Sequence, residues 1–364
     1  MSHATHNFAA GPGALPKAVR SRAQEGLRQL PDKPYGILDL DSRSDEFEEL
    51  VAATKHNIAC LLELAKDQHV LLLPGGASLQ FAMVPLNLKT GTSARYYVAG
   101  TWGKRAYEEA ERVYQSKPYE ISLRDDCEHP YFDICRGVTP DYLHFTSNET
   151  IEGKQFAPEE IEKVPAVCDM TSNLLIRPID ASKLGLIYAS AHRNAGVAGL
   201  TIVIISTNLL ERSSKQQYLP ESLSYWTYFQ GRPYVTTPPI YAIYLAYLTT
   251  NWILEQGGLP VMARRNAEKA AALYATLDHS DGFYIPRVSK DVTCRSTVNV
   301  VWNLKNKDQD QHFLAEAERR GIYGLENDPA VGGIRASLYN GVPKESVDYL
   351  IEFMDDFRYK CQAC

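Results

Sequence analysis

The chain has 364 residues, 45% of them apolar and 23% charged, which excludes a collagenous chain, a disordered tail and a disulfide-stapled miniprotein. The 38 Lys and Arg against 44 Asp and Glu leave a net charge of −6. That argues against a nucleic-acid partner, because phosphate backbones need clustered cations.

His69–Leu73 (HVLLL) reads as a buried strand, followed by Pro74-Gly75-Gly76 and a helix from about Ala77. Ala94–Val98 predicts a second strand, Gly100-Thr101-Trp102-Gly103 a turn, and Lys104–Val113 a charged amphipathic helix. Tyr142–Phe145 reads as a third strand ending at Thr146-Ser147-Asn148, and Ala166–Cys168 as a fourth ending at Asp169. Leu184–Tyr188 and Leu200–Ser206 are two more. Strands alternating with helices predict an α/β architecture, a mostly parallel sheet covered on both faces. In such sheets ligands bind beyond the carboxyl ends of the strands, where Gly76, Trp102, Asn148, Asp169 and His192 fall.

Pro238–Leu254 reads as one long helix closed by Gly257 and Gly258. It is the most apolar helical stretch, yet it contains Thr249-Thr250-Asn251 and is too short to cross a bilayer. The remainder changes character, with helices at Val261–Leu277, Gln311–Arg320 and Lys344–Phe357 and strands near Thr297–Trp302 and Gly333–Leu338. The expected organisation is a large domain over residues 17–258 and a small α+β domain built from 1–16 and 259–364. Met1–Asn7 shows no cationic segment leading into an apolar run, so no signal peptide is read and a cytoplasmic location without membrane contact is expected. Of seven cysteines, Cys361 and Cys364 form a CxxC. No second CxxC or zinc-spaced His pair accompanies them, so no metal is expected and free thiols are the default.

Three features suggest chemistry. Gly75-Gly76-Ala77-Ser78 sits between a strand and a helix, where backbone N–H groups meet anions, although many such turns carry glycines for steric reasons alone. Asp169 at a strand end is either a helix cap or the counter-charge of a cationic ring nitrogen. Trp102 at the next strand end either fills the core or stacks on that ring. Residues 185–205 place His192, Arg193 and Asn194 in a tight loop between two apolar strands, where the His-Arg pair needs partners, either a loop carboxylate for the arginine or a ligand.

Several longer motifs carry a resemblance. They are Asn7-Phe8-Ala9-Ala10-Gly11-Pro12-Gly13, Gly75-Gly76-Ala77-Ser78-Leu79-Gln80-Phe81, Gly100-Thr101-Trp102, Ser147-Asn148-Glu149-Thr150, Asp169-Met170-Thr171-Ser172 and residues 331–340 (VGGIRASLYN). Together they resemble the phosphoserine aminotransferase family, class V aminotransferases of fold type I. The resemblance implies a large domain with a mostly parallel seven-stranded sheet, a small α+β domain, and a homodimer with pyridoxal phosphate (PLP) at the subunit interface. On matching positions Gly76 and Ala77 would hold the cofactor phosphate and Trp102 would stack on the ring. Thr150 would approach the ring hydroxyl, and Asp169 would pair with the ring nitrogen. Thr237, preceded by Thr236, would reach the phosphate from the second subunit. Arg335 and Arg43 would bind substrate.

The departures fall at the chemistry. The family's cofactor lysine is Arg193 here, preceded by His192 where the family has glutamine. A guanidinium stays protonated and cannot act as the amine nucleophile. At the substrate end, a family His, His and Arg are Ser42, Asp328 and Pro329. Asp328 would repel a phosphate dianion.

The sequence therefore points to a repurposed enzyme that binds PLP, the amine form PMP or a related ligand without a covalent link. His192 is the candidate base, Arg193 an anion holder, and the expected substrate a small amino-acid-like or carboxylate molecule other than phosphoserine. Two alternatives stay open: an inactive binding or partner protein with a vestigial site, and an aminotransferase whose lysine was replaced by Arg193.

Overall fold

The computed structural model describes residues 5–91, 94–115, 118–122, 140–156, 165–231, 235–290 and 293–362. Cys127, Cys135 and the Cys364 end of the CxxC lie outside them. Seven strands form the central sheet: β1 (Gln68–Pro74), β2 (Arg95–Val98), β3 (Tyr119–Ser122), β4 (Leu143–Thr146), β5 (Ala166–Asp169), β6 (Leu186–Ser190) and β7 (Leu200–Ser206). Their spatial order is β1-β7-β6-β5-β4-β2-β3. β7 runs antiparallel to both neighbours, and every other adjacent pair is parallel. β7 (LTIVIIS) is buried along its first six residues, as a strand covered on both faces requires.

Among the described residues ten α-helices accompany the strands: α1 (Lys17–Arg28), α2 (Asp45–Leu61), α3 (Ala77–Leu88), α4 (Thr101–Tyr114), α5 (Thr207–Ser214), α6 (Tyr225–Phe229), α7 (Ile240–Glu255), α8 (Gly258–Asp278), α9 (Asp310–Arg319) and α10 (Lys344–Gln362). α2 starts where Ser44 Oγ accepts from Phe47 N, with Asp45, Glu46 and Glu48 in its first turn. The cap satisfies an orphan donor and the acids complement the helix dipole. One face of the sheet packs on α1, α2 and α7 through Val19, Phe47, Ile58, Ile243, Phe145 and Ile202. The other packs on α3 to α6 through Phe81, Ala106, Leu209, Tyr225, Val167 and Val203.

A second sheet of β8 (Tyr284–Pro286), β9 (Asn299–Leu304) and β10 (Ile334–Ser337) is antiparallel, with β9 central. Its core joins Trp302, Phe313, Phe353 and Phe357 to Phe8 from the N-terminal segment. Cys294 is disulfide-bonded, which corrects the expectation of free thiols for that residue. Among the described residues no helix is long and apolar enough to cross a membrane.

Candidate active site

The cavity forms at the carboxyl ends of β1, β4, β5 and β6. Gly76, Ala77, Trp102, Thr150, Asp169, His192 and Arg193 all line it. After β1, Gly75 adopts φ +103, a left-handed conformation open to glycine at little cost. Gly76 then precedes α3 without a side-chain cap. A Cβ added at Gly76 would meet nothing within 4 Å. The first N–H groups of α3 therefore border open space at the positive end of a 12-residue helix.

Trp102 lies inside the first turn of α4, not in a preceding turn as its glycine neighbours predict. The helix starts at Thr101 because two distant carboxylates cap it. Glu149 accepts from Trp102 N at 3.0 Å and Gly103 N at 2.8 Å, and Glu152 accepts from Thr101 N at 2.9 Å. The Trp102 indole donates to Thr150 Oγ1 at 2.8 Å, which fixes the ring plane against the cavity. Burial, with Glu152 adding like charge, pushes Glu149 up to about 8.

Asp169 ends β5 and is buried. Its carboxylate accepts from Thr171 N at 2.8 Å. Burial raises its pKa, and hydrogen bonds from Thr171 with the charge of Arg193 oppose that rise.

The loop after β6 answers the question of partners. His192 Nδ1 lies 2.7 Å from Ser190 Oγ, and Arg193 Nε donates to His192 Nε2 at 3.3 Å. An accepting Nε2 places the imidazole proton on Nδ1, so Ser190 receives it. Arg193 Nη1 donates to Tyr339 Oη at 2.8 Å, and Tyr339 donates in turn to Ala10 O at 2.8 Å. Gly13 N donates to His192 O at 2.8 Å, so the N-terminal segment lies directly against this loop. Gly11 is forced by that approach: a Cβ there would sit 2.6 Å from His192 Nε2. Burial, then the neighbouring Arg193 charge, lowers the His192 pKa to about 4. The expectation of a base titrating near neutrality is corrected accordingly: His192 is neutral at pH 7 and both ring nitrogens are engaged.

The remaining residues stand apart. Arg43, Thr236 and Thr237 line a separate groove with Ser42, Lys55 and Tyr228. Arg335 sits on β10 opposite Val301. Its Nε is buried without a hydrogen-bond partner among the described residues. Burial lowers the Arg335 pKa and Arg193 adds to the fall, while Tyr339, Asp328 and Glu152 raise it. Asp328 Oδ1 accepts from Ala330 N at 3.0 Å. Glu152, Ser190 and Tyr339 were not anticipated as site residues. Only Ser147-Asn148-Glu149-Thr150 carried a signal for the capping pair, without assigning it a task.

Comparison with known proteins agrees with this geometry. The profile described as Aminotransferase class-V matches residues 5–350. The phosphoserine aminotransferase of Geobacillus kaustophilus (strain HTA426) is 40% identical over 356 residues, covering 97% of this chain and 98% of the relative. A phosphoserine aminotransferase structure described for radiation damage of its Schiff base superposes with a TM-score of 0.91 at 37% identity, covering 98% of this chain and 99% of the other. The PLP-bound phosphoserine aminotransferase from Trichomonas vaginalis gives 0.89 at 31% identity, covering 97% and 100%. Family profile, full-length relatives and superposed structures agree, and the chain belongs to the class V aminotransferase family of fold type I.

Proposed function

We propose that this chain holds a vitamin B6 phosphate, PLP or PMP, without a covalent link and acts on a substrate other than phosphoserine. One observation carries the proposal: Arg193, which the resemblance sets at the family's lysine position, is tied to Tyr339 and His192, and among the described residues no lysine lines the cavity. The residues present otherwise fit the group. Thr146 Oγ1 is buried among them without a hydrogen-bond partner among the described residues, the N-terminus of α3 faces open space, and Asp169 supplies a carboxylate. Gly76 and Ala77 would hold the phosphate, Trp102 the ring face, Thr150 the ring oxygen and Asp169 the ring nitrogen. Such a cofactor, when bound, supplies an electron sink for bond cleavage at an amino acid's α-carbon.

Arg335, with an unused buried donor, would take a substrate carboxylate. Asp328 disfavours a second anion beside it. The separate groove holding Arg43, Thr236 and Thr237 supports a homodimer in which a partner copy lends these residues to the cavity. A second reading, ligand binding without turnover, is favoured by the engaged ring nitrogens of His192, which leave no free base there.

The test is borohydride reduction of the purified protein with added PLP, followed by peptide mass spectrometry. The expected result is PLP removable by dialysis and no pyridoxyl-modified lysine. A pyridoxyl-lysine in the cavity overturns the proposal. Consumption of bound PMP by a panel of 2-oxo acids separates the enzyme from the binding protein.

A further inference from the structure

The buried polar side chains that line the cavity are partnered, with one exception among the described residues. Thr150 Oγ1 accepts from the Trp102 indole at 2.8 Å, and Ser190 Oγ lies 2.7 Å from His192 Nδ1. Ser172 Oγ accepts from Asn148 Nδ2 at 2.7 Å and donates to Asn148 O at 3.0 Å. Thr146 also lines the cavity and is 3% exposed, yet its Oγ1 has no hydrogen-bond partner among the described residues. A buried hydroxyl without a partner costs stability. Among the described residues no other side chain lining the cavity carries such an atom.

The sheet aims Thr146 at the same end of the cavity as Asp169. Side chains along β4 and β5 alternate between the two faces. Phe145 and Cys168 pack on the side of α1, α2 and α7. Their neighbours Thr146 and Asp169, each the last residue of its strand, therefore point to the other side. Phe81 of α3 and Trp102 of α4 line the cavity from that side. Thr146 and Asp169 are register partners on adjacent parallel strands, and such strands lie about 4.8 Å apart. One step of χ1 exchanges the threonine hydroxyl and methyl, so the hydroxyl can turn to whatever fills the opening.

We propose that Thr146 is a ligand-binding residue, its hydroxyl left unpaired for a ligand nitrogen seated on Asp169. The inference rests on the cofactor reading above and extends it. There Asp169 alone meets the ring nitrogen; here the neighbouring strand adds a second, neutral acceptor. A carboxylate and a hydroxyl side by side suit a donor, the N–H of a protonated nitrogen heteroaromatic. A neutral ring nitrogen, offering only a lone pair, would face a carboxylate that can only accept. The hydroxyl thus weakens the ligand-free chain and gains its partner on binding, so removing it should move stability and affinity in opposite directions.

Two variants of the full-length chain test it. Thr146→Val keeps the branched shape and removes the hydroxyl; Thr146→Ser keeps the hydroxyl and removes the methyl. Calorimetry reads the melting of the ligand-free chain, and fluorescence reads PMP binding. Val should raise Tm by about 1–4 °C, because it removes an unpaired buried polar group. It should also weaken PMP binding about three- to tenfold, the loss of one neutral hydrogen bond. Ser should lower Tm through the lost methyl and hold PMP affinity within about twofold of native. A packing role predicts the reverse, with Val like the native chain and Ser impaired in both measurements. Val melting below the native chain, Val binding PMP as tightly as native, or Ser binding as weakly as Val overturns the inference. If the native chain binds no PMP, the cofactor reading fails by itself. A raised Tm for Val then keeps the hydroxyl as a group held for another ligand, and a lowered one removes it.

Discussion

Arg193→Lys tests the position on which the proposed function depends, where the resemblance sets the family's lysine. The structure sets its cost. The substitution removes the charge-assisted bond from Nη1 to Tyr339 at 2.8 Å and the guanidinium lying 5.9 Å from that ring's centre. A bond to a charged group is worth roughly 1.5–3 kcal/mol and a cation–π contact about 0.5–1. The loss is therefore roughly 2–4 kcal/mol. With unfolding entropy proportional to length, that lowers Tm by roughly 3–5 °C. Tyr339 keeps its bond to Ala10 O and still accepts from Asn299 Nδ2 at 3.2 Å, so the N-terminal segment should stay in place. Burial and nearby Arg335 favour a neutral amine, while Asp169 favours the ammonium. Calorimetry reads the stability change. Borohydride reduction with PLP, then mass spectrometry, should find a pyridoxyl group on residue 193 of the variant alone. A folded variant that binds PLP and carries no such adduct would refute the placement of residue 193 at the reacting carbon.

Three further outcomes are expected. Glu149 is held at about 8 against an ordinary 4.5, so between those values the folded chain binds more protons than the unfolded one and stability falls as pH rises. Glu149→Gln should flatten that fall. Its ceiling is about 5 kcal/mol, and the Trp102 and Gly103 N–H bonds, which favour the carboxylate, make the real figure smaller; parallel urea-unfolding curves at pH 5, 7 and 9 would contradict it. Phosphoserine should bind no better than millimolar by calorimetry, since three lost charge-assisted bonds cost roughly 4–9 kcal/mol if additive, and micromolar binding abolished by Arg43→Ala would return the chain to its relatives' substrate. Gly11→Ala puts a Cβ 2.6 Å from His192 Nε2, and should cost about 1–3 kcal/mol and weaken PMP binding; unchanged melting and affinity would contradict the close approach.

Much of the fold was legible because apolar runs are local signals. HVLLL and LTIVIIS read as strands wherever they occur, and they became β1 and β7. β3 (YEIS) went unread because it has no apolar run; its pairing with β2 exists only in three dimensions. The start of α4 was misplaced for the same reason. Gly100 and Gly103 signal a turn locally, while the caps that begin the helix at Thr101 come from Glu149 and Glu152, far along the chain. β6 runs two residues past its expected end because Ser190 pairs with Thr201 on β7.

At the site, residue types were legible and protonation states were not. That residue 193 is an arginine, where the resemblance sets a lysine, is legible in the sequence. That its charge, added to burial, holds His192 neutral depends on packing. A guanidinium this buried is costly unless its hydrogens are used and its charge is answered. Tyr339 and His192 take two of its donors, and Asp169 supplies the opposing charge. The substrate-end departures lie elsewhere: Asp328 and Pro329 precede β10, and Ser42 lies in the groove with Arg43. Anchor and clamp thus occupy different elements, although Arg193 and Asp328 both act on Arg335, so their effects should be separable in large part rather than fully independent. Arg193→Lys alone should regain covalent cofactor attachment and still ignore phosphoserine; recovery of both by that single change would show that the substrate end had never been lost.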